Sequence, residues 1–264
     1  MTDWDPQQYH RFAAERAQPF WDLVALVEPG GIGRAVDLGC GSGELTAAAS
    51  DRLGVDEMLG VDSSPAMLAA AVEHARRGVS FEHGDIARWT AAGDHHLVLA
   101  NASLQWVADH PAVLARWVAA LVPGGQLAIQ VPANSDHPSH TCAVEVAGRE
   151  PFRSAMGGHP PPDPVARNVL TPAAYATVLH DLGITEPHVR LQVYPHLLER
   201  ATDVVEWVRG TSLTRFFAVL PDELHGPFVD AYRDRLLEVI GDRAPYFYAF
   251  QRILMWGRRD VPNR

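Results

Sequence analysis

Apolar positions fall along this chain in short runs separated by longer segments of helical composition. The runs at 34–38, 58–62, 79–82, 96–100 and 126–131 predict strands, and the segments at 44–53, 64–76 and 111–121 predict helices. Ser64 followed by Pro65 supplies a cap and a first-turn proline, Thr171 with Pro172 repeats the device, and Pro111 opens another helix in the same way. After 131 the pattern breaks. Residues 132–170 are rich in proline and carry no clear period, which predicts a lid or a mobile insertion. A helix at 172–182 and a strand at 186–194 resume the sheet, helices follow at 202–210 and 221–240, and a last strand covers 246–256. The alternation predicts an α/β fold, a doubly wound sheet of seven strands covered by helices. Three segments, approximately 1–30, 132–170 and 197–244, are expected to form a mostly helical cap on a single domain spanning 1–264. Ligands of such sheets bind at the carboxyl ends of the strands, so the cap is expected there.

The first strand runs straight into glycines: Val36-Asp37-Leu38-Gly39-Cys40-Gly41-Ser42-Gly43. Glycines at 39, 41 and 43 let backbone approach a ligand that side chains would exclude. The second strand ends in Asp62, placed to accept hydrogen bonds from both ribose hydroxyls of a nucleoside. A nicotinamide dinucleotide fingerprint requires G-x-G-x-x-G. Counting from Gly39 the third glycine position holds Glu44, and from Gly41 it holds Thr46. An acid at the helix mouth would also repel a pyrophosphate. Cys40 fits the loop as a small packing residue, and with Cys142 as the other cysteine there is no disulfide framework or cysteine-rich metal site.

Charge narrows the partners. The formal net charge is -10, which argues against nucleic acid and favours a small-molecule substrate. All 22 basic residues are arginine, which leaves no lysine for catalysis and makes every cation a planar fork suited to carboxylates. No apolar run is long enough to cross a bilayer, so no membrane partner is expected. The acidic start Met1-Thr2-Asp3-Trp4-Asp5 is unlike a signal peptide, so a cytoplasmic location is expected. His137 and His140, with Asp136 and His159 nearby, stand at i, i+3, but Pro138 and the lack of helical context weaken that geometry and spacing fixes no third ligand, so no metal site is expected.

The glycine loop, Asp62, and Gly84-Asp85-Ile86 beyond the third strand together resemble the cofactor site of a class I S-adenosylmethionine (SAM) methyltransferase. The N-terminal Asp3-Trp4-Asp5-Pro6-Gln7-Gln8-Tyr9, then Phe12-Ala13-Ala14-Glu15-Arg16, Asn101-Ala102-Ser103-Leu104-Gln105-Trp106 and Glu206-Trp207-Val208 resemble the trans-aconitate 2-methyltransferase family, over residues 1–257. Leu213-Thr214-Arg215-Phe216 departs from the family's Leu-Arg-Pro-Trp-like element, with the arginine displaced by one place and the proline missing. The resemblance implies SAM as cofactor, held by Asp37, Gly39, Gly41, Gly43, Asp62, Ser63, Asp85, Ile86 and Asn101. Asp85 would accept from the adenine amine and the Ile86 amide would donate to the ring. The implied reaction is transfer of the methyl group to a carboxylate of trans-aconitate. Alternatives are another small acid as acceptor, or a SAM-binding protein without transfer activity.

A carboxylate acceptor is already ionised at pH 7, so no acid or base residue is required. Asn101, Ser103, Gln105 and Trp106 are expected to position the reactants. The carboxylates that do not react need cations. Arg16, Arg153, Arg167, Arg215 and Arg252 are candidates, Arg16 and Arg215 foremost, with Tyr9 and Trp106 as pocket walls.

Overall fold

The computed structural model describes residues 13–261, and side chains from residue 17 onward. Tyr9 lies outside the described residues. So does the Arg16 side chain, whose backbone belongs to the first helix, α1 (Ala13–Val24).

The chain resolves into two compact units. Among the described residues one comprises 14–132, 168–192 and 251–261, and the other residue 13, 133–167 and 193–250. Helix α1, placed at sequence level with the capping segments, falls almost entirely in the first of these.

In the first unit the strands β1 (Arg34–Leu38), β2 (Glu57–Asp62), β3 (Val79–His83), β4 (His95–Asn101) and β5 (Leu121–Pro132) pair in parallel. Strands β6 (Ile184–Leu198) and β7 (Tyr246–Arg259) complete a seven-stranded sheet in the order β3-β2-β1-β4-β5-β7-β6, with β7 antiparallel to β5. Helices α2 (Glu44–Leu53), α3 (Pro65–Ala71) and α4 (His110–Ala119) link the parallel strands. β1 and β4 are buried along almost their whole length, as central parallel strands must be when helices cover both faces. The strand order changes direction between β1 and β4, and that switch point at the carboxyl edge is where such sheets bind ligands.

The segment that carries no period in sequence is not irregular. It folds into α5 (Pro138–Ala147), the four-residue α6 (Phe152–Ala155) and the five-residue α7 (Pro164–Asn168). α5 hides Ser139, His140, Cys142, Ala143, Val146 and Ala147, so no polar stripe alternates with an apolar one. After α8 (Pro172–Asp181), the rest of the second unit adds α9 (Asp203–Arg209), a further short helix α10 (Thr214–Phe217) and α11 (His225–Ile240). Its core is aromatic: Phe228 stacks edge-on against Phe152 and also meets Phe216, while Trp207 meets His196, Tyr248 and Phe250. Among the described residues no helix is long and apolar enough to cross a membrane.

Candidate active site

The carboxyl edge of the sheet gathers the expected cofactor residues. Asp62 accepts from the Gly41 amide through one oxygen at 2.9 Å and from the Ser64 amide through the other at 2.8 Å. It therefore pins the glycine loop to the start of α3, and each oxygen keeps a second lone pair. Ser63, between them, is exposed, and its carbonyl lies 3.2 Å from His83 Nε2.

The loop glycines have distinct reasons. Gly39 has φ +89°, and a Cβ there would sit 2.2 Å from the Ser103 Cβ. Ser103 in turn donates to the Leu38 carbonyl at 2.6 Å, so the loop after β4 is stitched to the loop after β1. Space beside Gly43 is filled by Phe81. Gly41, at φ +57°, has nothing within 4 Å of its Cβ direction, so its backbone is the part of the loop open to a ligand.

Asp37 is buried on β1. One oxygen accepts from the Thr46 hydroxyl at 2.5 Å, and the other has no hydrogen-bond partner. Burial pushes its carboxyl up to about 7; the Thr46 bond opposes this and the charge of Asp62 adds to it. A buried acid with an open oxygen calls for a donor or a cation. The Cys40 thiol is raised well above its usual range by burial and by the neighbouring Asp37 and Asp62, which makes it a packing residue rather than a nucleophile.

Beyond β3, Asp85 folds its carboxylate back on the Ala87 amide at 2.9 Å and lies 3.8 Å from Arg88. α4 fixes this loop from below: the fully buried Trp117 donates to the Ile86 carbonyl, and Arg116 to the Ala87 carbonyl. The Ile86 amide itself donates to no protein group among those described, which leaves it for a ligand.

The segment after β4 is held by a residue that the sequence did not single out. His110 Nε2 faces the Leu104 carbonyl at 2.9 Å and that of Val107 at 3.1 Å, so it carries the proton. Nδ1 therefore accepts from the Tyr175 hydroxyl at 2.6 Å. Burial lowers the ring's pKa, which keeps it neutral in this role. Asn168 adds a bond to the Gln105 carbonyl. Gln105 is buried and spends its amide on the Ala102 carbonyl, with Oε1 unpartnered. Trp106 is 43% exposed, and Asn101 is half-buried with Oδ1 unpartnered. Ala102 takes a left-handed φ of +52°, and its amide donates to the Gln130 carbonyl at 2.9 Å.

In the second unit Arg215 is nine-tenths buried. Its Nη1 donates to the Ser212 carbonyl at 2.9 Å and lies 3.3 Å from Asp163 Oδ2, which His140 Nδ1 also meets at 2.8 Å. Burial would raise the Asp163 carboxyl, but the bond and charge of His140, then the charge of Arg215, hold it at about 2. Burial also lowers the Arg215 guanidinium, against the pull of Asp163. Nε and Nη2 of Arg215, and the hydroxyl of Ser212, are buried without partners. Those two nitrogens form the side-on edge of the guanidinium, the edge that takes a carboxylate bidentately. His137 is tied to Ser139 and depressed to about 4, chiefly by burial. Of the other arginines considered, Arg153 and Arg167 are exposed and Arg252 is buried on β7.

Residues 35–125 match the family model described as "Methyltransferase domain". Two solved structures share the fold. Phosphoethanolamine N-methyltransferase 2 of Haemonchus contortus, in complex with SAM, superposes with TM-score 0.57 at 16% identity, covering 92% of this chain and 53% of that one. The YcgJ protein of Bacillus subtilis gives 0.61 at 14%, covering 92% and 99%. With the open Asp37 oxygen, the free Ile86 amide, the Asp62 lone pairs and the clear approach at Gly41, the residues fit SAM, and the fold and site are those of a class I SAM-dependent methyltransferase. Trans-aconitate 2-methyltransferases of Deinococcus radiodurans, of a Mycobacterium species (strain KMS) and of an Acidovorax species (strain JS42) are 41%, 39% and 36% identical to this chain. They cover 97%, 97% and 98% of it, and 98%, 99% and 99% of their own lengths are matched. The chain belongs to the trans-aconitate 2-methyltransferase family.

Proposed function

We propose that this enzyme esterifies a carboxylate of trans-aconitate, giving the monomethyl ester and S-adenosylhomocysteine. The observation that carries the substrate class is the buried side-on edge of Arg215, whose two unpartnered nitrogens match the two oxygens of a carboxylate. Burying a guanidinium with two unused nitrogens is costly, and a carboxylate of the substrate relieves that cost. Full-length relatives bearing the trans-aconitate name support the same reading.

When bound, SAM supplies an electrophilic methyl group on a cationic sulfur. Asp62, Asp85 and the Ile86 amide are assigned to its nucleoside, and Asp37 with the Gly41 backbone to its charged amino-acid end. Gly39 and Gly43 let the loop pack closely against Ser103 and Phe81, Ser103 stitches it to the end of β1, and Ser63 lies beside it. Asn101 and Trp106, on the turn set by His110, wall the reacting end. No residue is asked to move a proton, because the acceptor is an anion at pH 7. The chain's contribution is orientation and exclusion of water.

The test is methyl transfer from radiolabelled SAM to trans-aconitate, cis-aconitate, isocitrate, citrate and a medium-chain fatty acid. Trans-aconitate is expected to be the best acceptor, with Arg215→Lys raising its KM about tenfold or more by keeping the charge but losing the fork. SAM binding without transfer to any of these acids overturns the substrate assignment.

A further inference from the structure

Two glutamines interrupt the apolar run of β5, and the structure treats them in opposite ways. Gln126 is fully employed: Oε1 accepts from the Glu28 amide and from Trp256 Nε1, and Nε2 donates to the Glu28 carbonyl. Gln130 is completely buried, and neither its Oε1 nor its Nε2 has a hydrogen-bond partner. An amide placed this way forfeits its bonds to water and gains none from the protein.

Strand register shows where that amide stands. Gln130 is level with Asn101 on β4, Asp37 is level with Leu99 on β4 and with Gly60 on β2, and partners in register share a sheet face. Asp62, Asp37, Asn101 and Gln130 therefore line one face across β2, β1, β4 and β5. The acids occupy the β2–β1 end. The β4–β5 end carries no acid: Gln130 brings it a buried, unused N–H donor about 5 Å, one strand spacing, beyond Asn101, and the buried Arg252 stands on the same face of β7, two residues from the Leu254 that pairs with Gln130.

We propose that the Gln130 carboxamide binds the carboxylate that receives the methyl group; this rests on the carboxyl-transfer reading above. Ester formation removes that carboxylate's negative charge. A cation at this position would stabilise the ionised substrate more than the transition state and slow the reaction, whereas a neutral amide orients the group at smaller cost. A charged fork suits a carboxylate that keeps its charge, and a neutral amide such as that of Gln130 suits the one that loses it.

The test uses the full chain with Gln130→Met and Gln130→Glu, once the wild type has been shown to methylate trans-aconitate. If the wild type does not, the substrate reading fails before Gln130 is examined. For Gln130→Met we expect S-adenosylhomocysteine affinity by calorimetry within about twofold of wild type, a ligand-free Tm equal or higher, and kcat/KM lower by about 20-fold or more. For Gln130→Glu we expect a loss of about 100-fold at pH 8 that shrinks toward pH 6, as the new carboxyl gains a proton it can donate. A Gln130→Met enzyme within threefold of wild-type kcat/KM overturns the proposal. So does one whose Tm and S-adenosylhomocysteine affinity fall together with activity, because that marks a structural glutamine.

Discussion

Asp37 couples cofactor binding to a proton. Its carboxyl sits at about 7 in the folded chain against an ordinary 3.8, chiefly because burial disfavours the charge. The folded state therefore holds an extra proton between about pH 4 and pH 7. The stabilisation this gives is complete below the lower value and lost as pH rises through the upper one. A cationic ligand end beside the open oxygen favours the ionised form, so binding at pH 7 expels about half a proton. Calorimetric titration of SAM in two buffers of different ionisation enthalpy measures this directly. Asp37→Asn is expected to abolish the release, weaken SAM at least tenfold, and raise the ligand-free Tm at pH 8. Buffer-independent heats in the wild type contradict the assignment. His110 shows a different use of burial: its ring is kept neutral so that one nitrogen donates to carbonyls and the other accepts from Tyr175.

At the scale of elements, the loop between β1 and α2 separates packing from ligand access. Gly39→Ala would drive a methyl into Ser103 at a φ few L-residues adopt, and is expected to lower stability by about 2–4 kcal/mol and prevent loop formation. Gly41→Ala meets open space at a milder left-handed φ, costing about 1 kcal/mol, while its methyl obstructs the ligand. Urea unfolding and SAM titration should thus separate the pair: one variant unstable, the other folded and weakly binding. A Gly41→Ala enzyme with unchanged affinity would place the cofactor elsewhere. The sequence reads all three glycines alike, because spacing carries no information about Ser103 or Phe81 arriving from other strands. Strands β1 to β4 and helix α2 were legible to within a residue, since each is a short buried run or a capped Ala-rich stretch. In the second unit α9 and most of α11 were legible as the helices read at 202–210 and 221–240, whereas α6, α7 and α10 are too short to show a period and α5 is buried on most sides. Arg215 was visible in the sequence only as one of five candidate arginines, and its burial beside Asp163 was not. Gln130 was visible only as a polar break in 127–131, and what distinguishes it from Gln126 is partners supplied by Glu28 and Trp256.

For the whole molecule, charge opposes function. The chain carries a net charge of -10, and the proposed acceptor brings about three more negative charges. Attraction must therefore come from contacts at short range, and the long-range field works against arrival. These two parts respond differently to salt. The field between the protein surface and an approaching anion is screened beyond roughly 8–10 Å at physiological ionic strength, whereas a buried guanidinium such as Arg215 is screened far less. Raising KCl from about 10 to about 150 mM is accordingly expected to lower KM for trans-aconitate by a few-fold while leaving kcat unchanged. The effect should shrink for a monoanionic acceptor, which feels about a third of the repulsion. A KM that climbs with salt over this range would mean instead that exposed cations, not the buried fork, collect the substrate. Arg153 and Arg167, both exposed, would then be the residues to replace first.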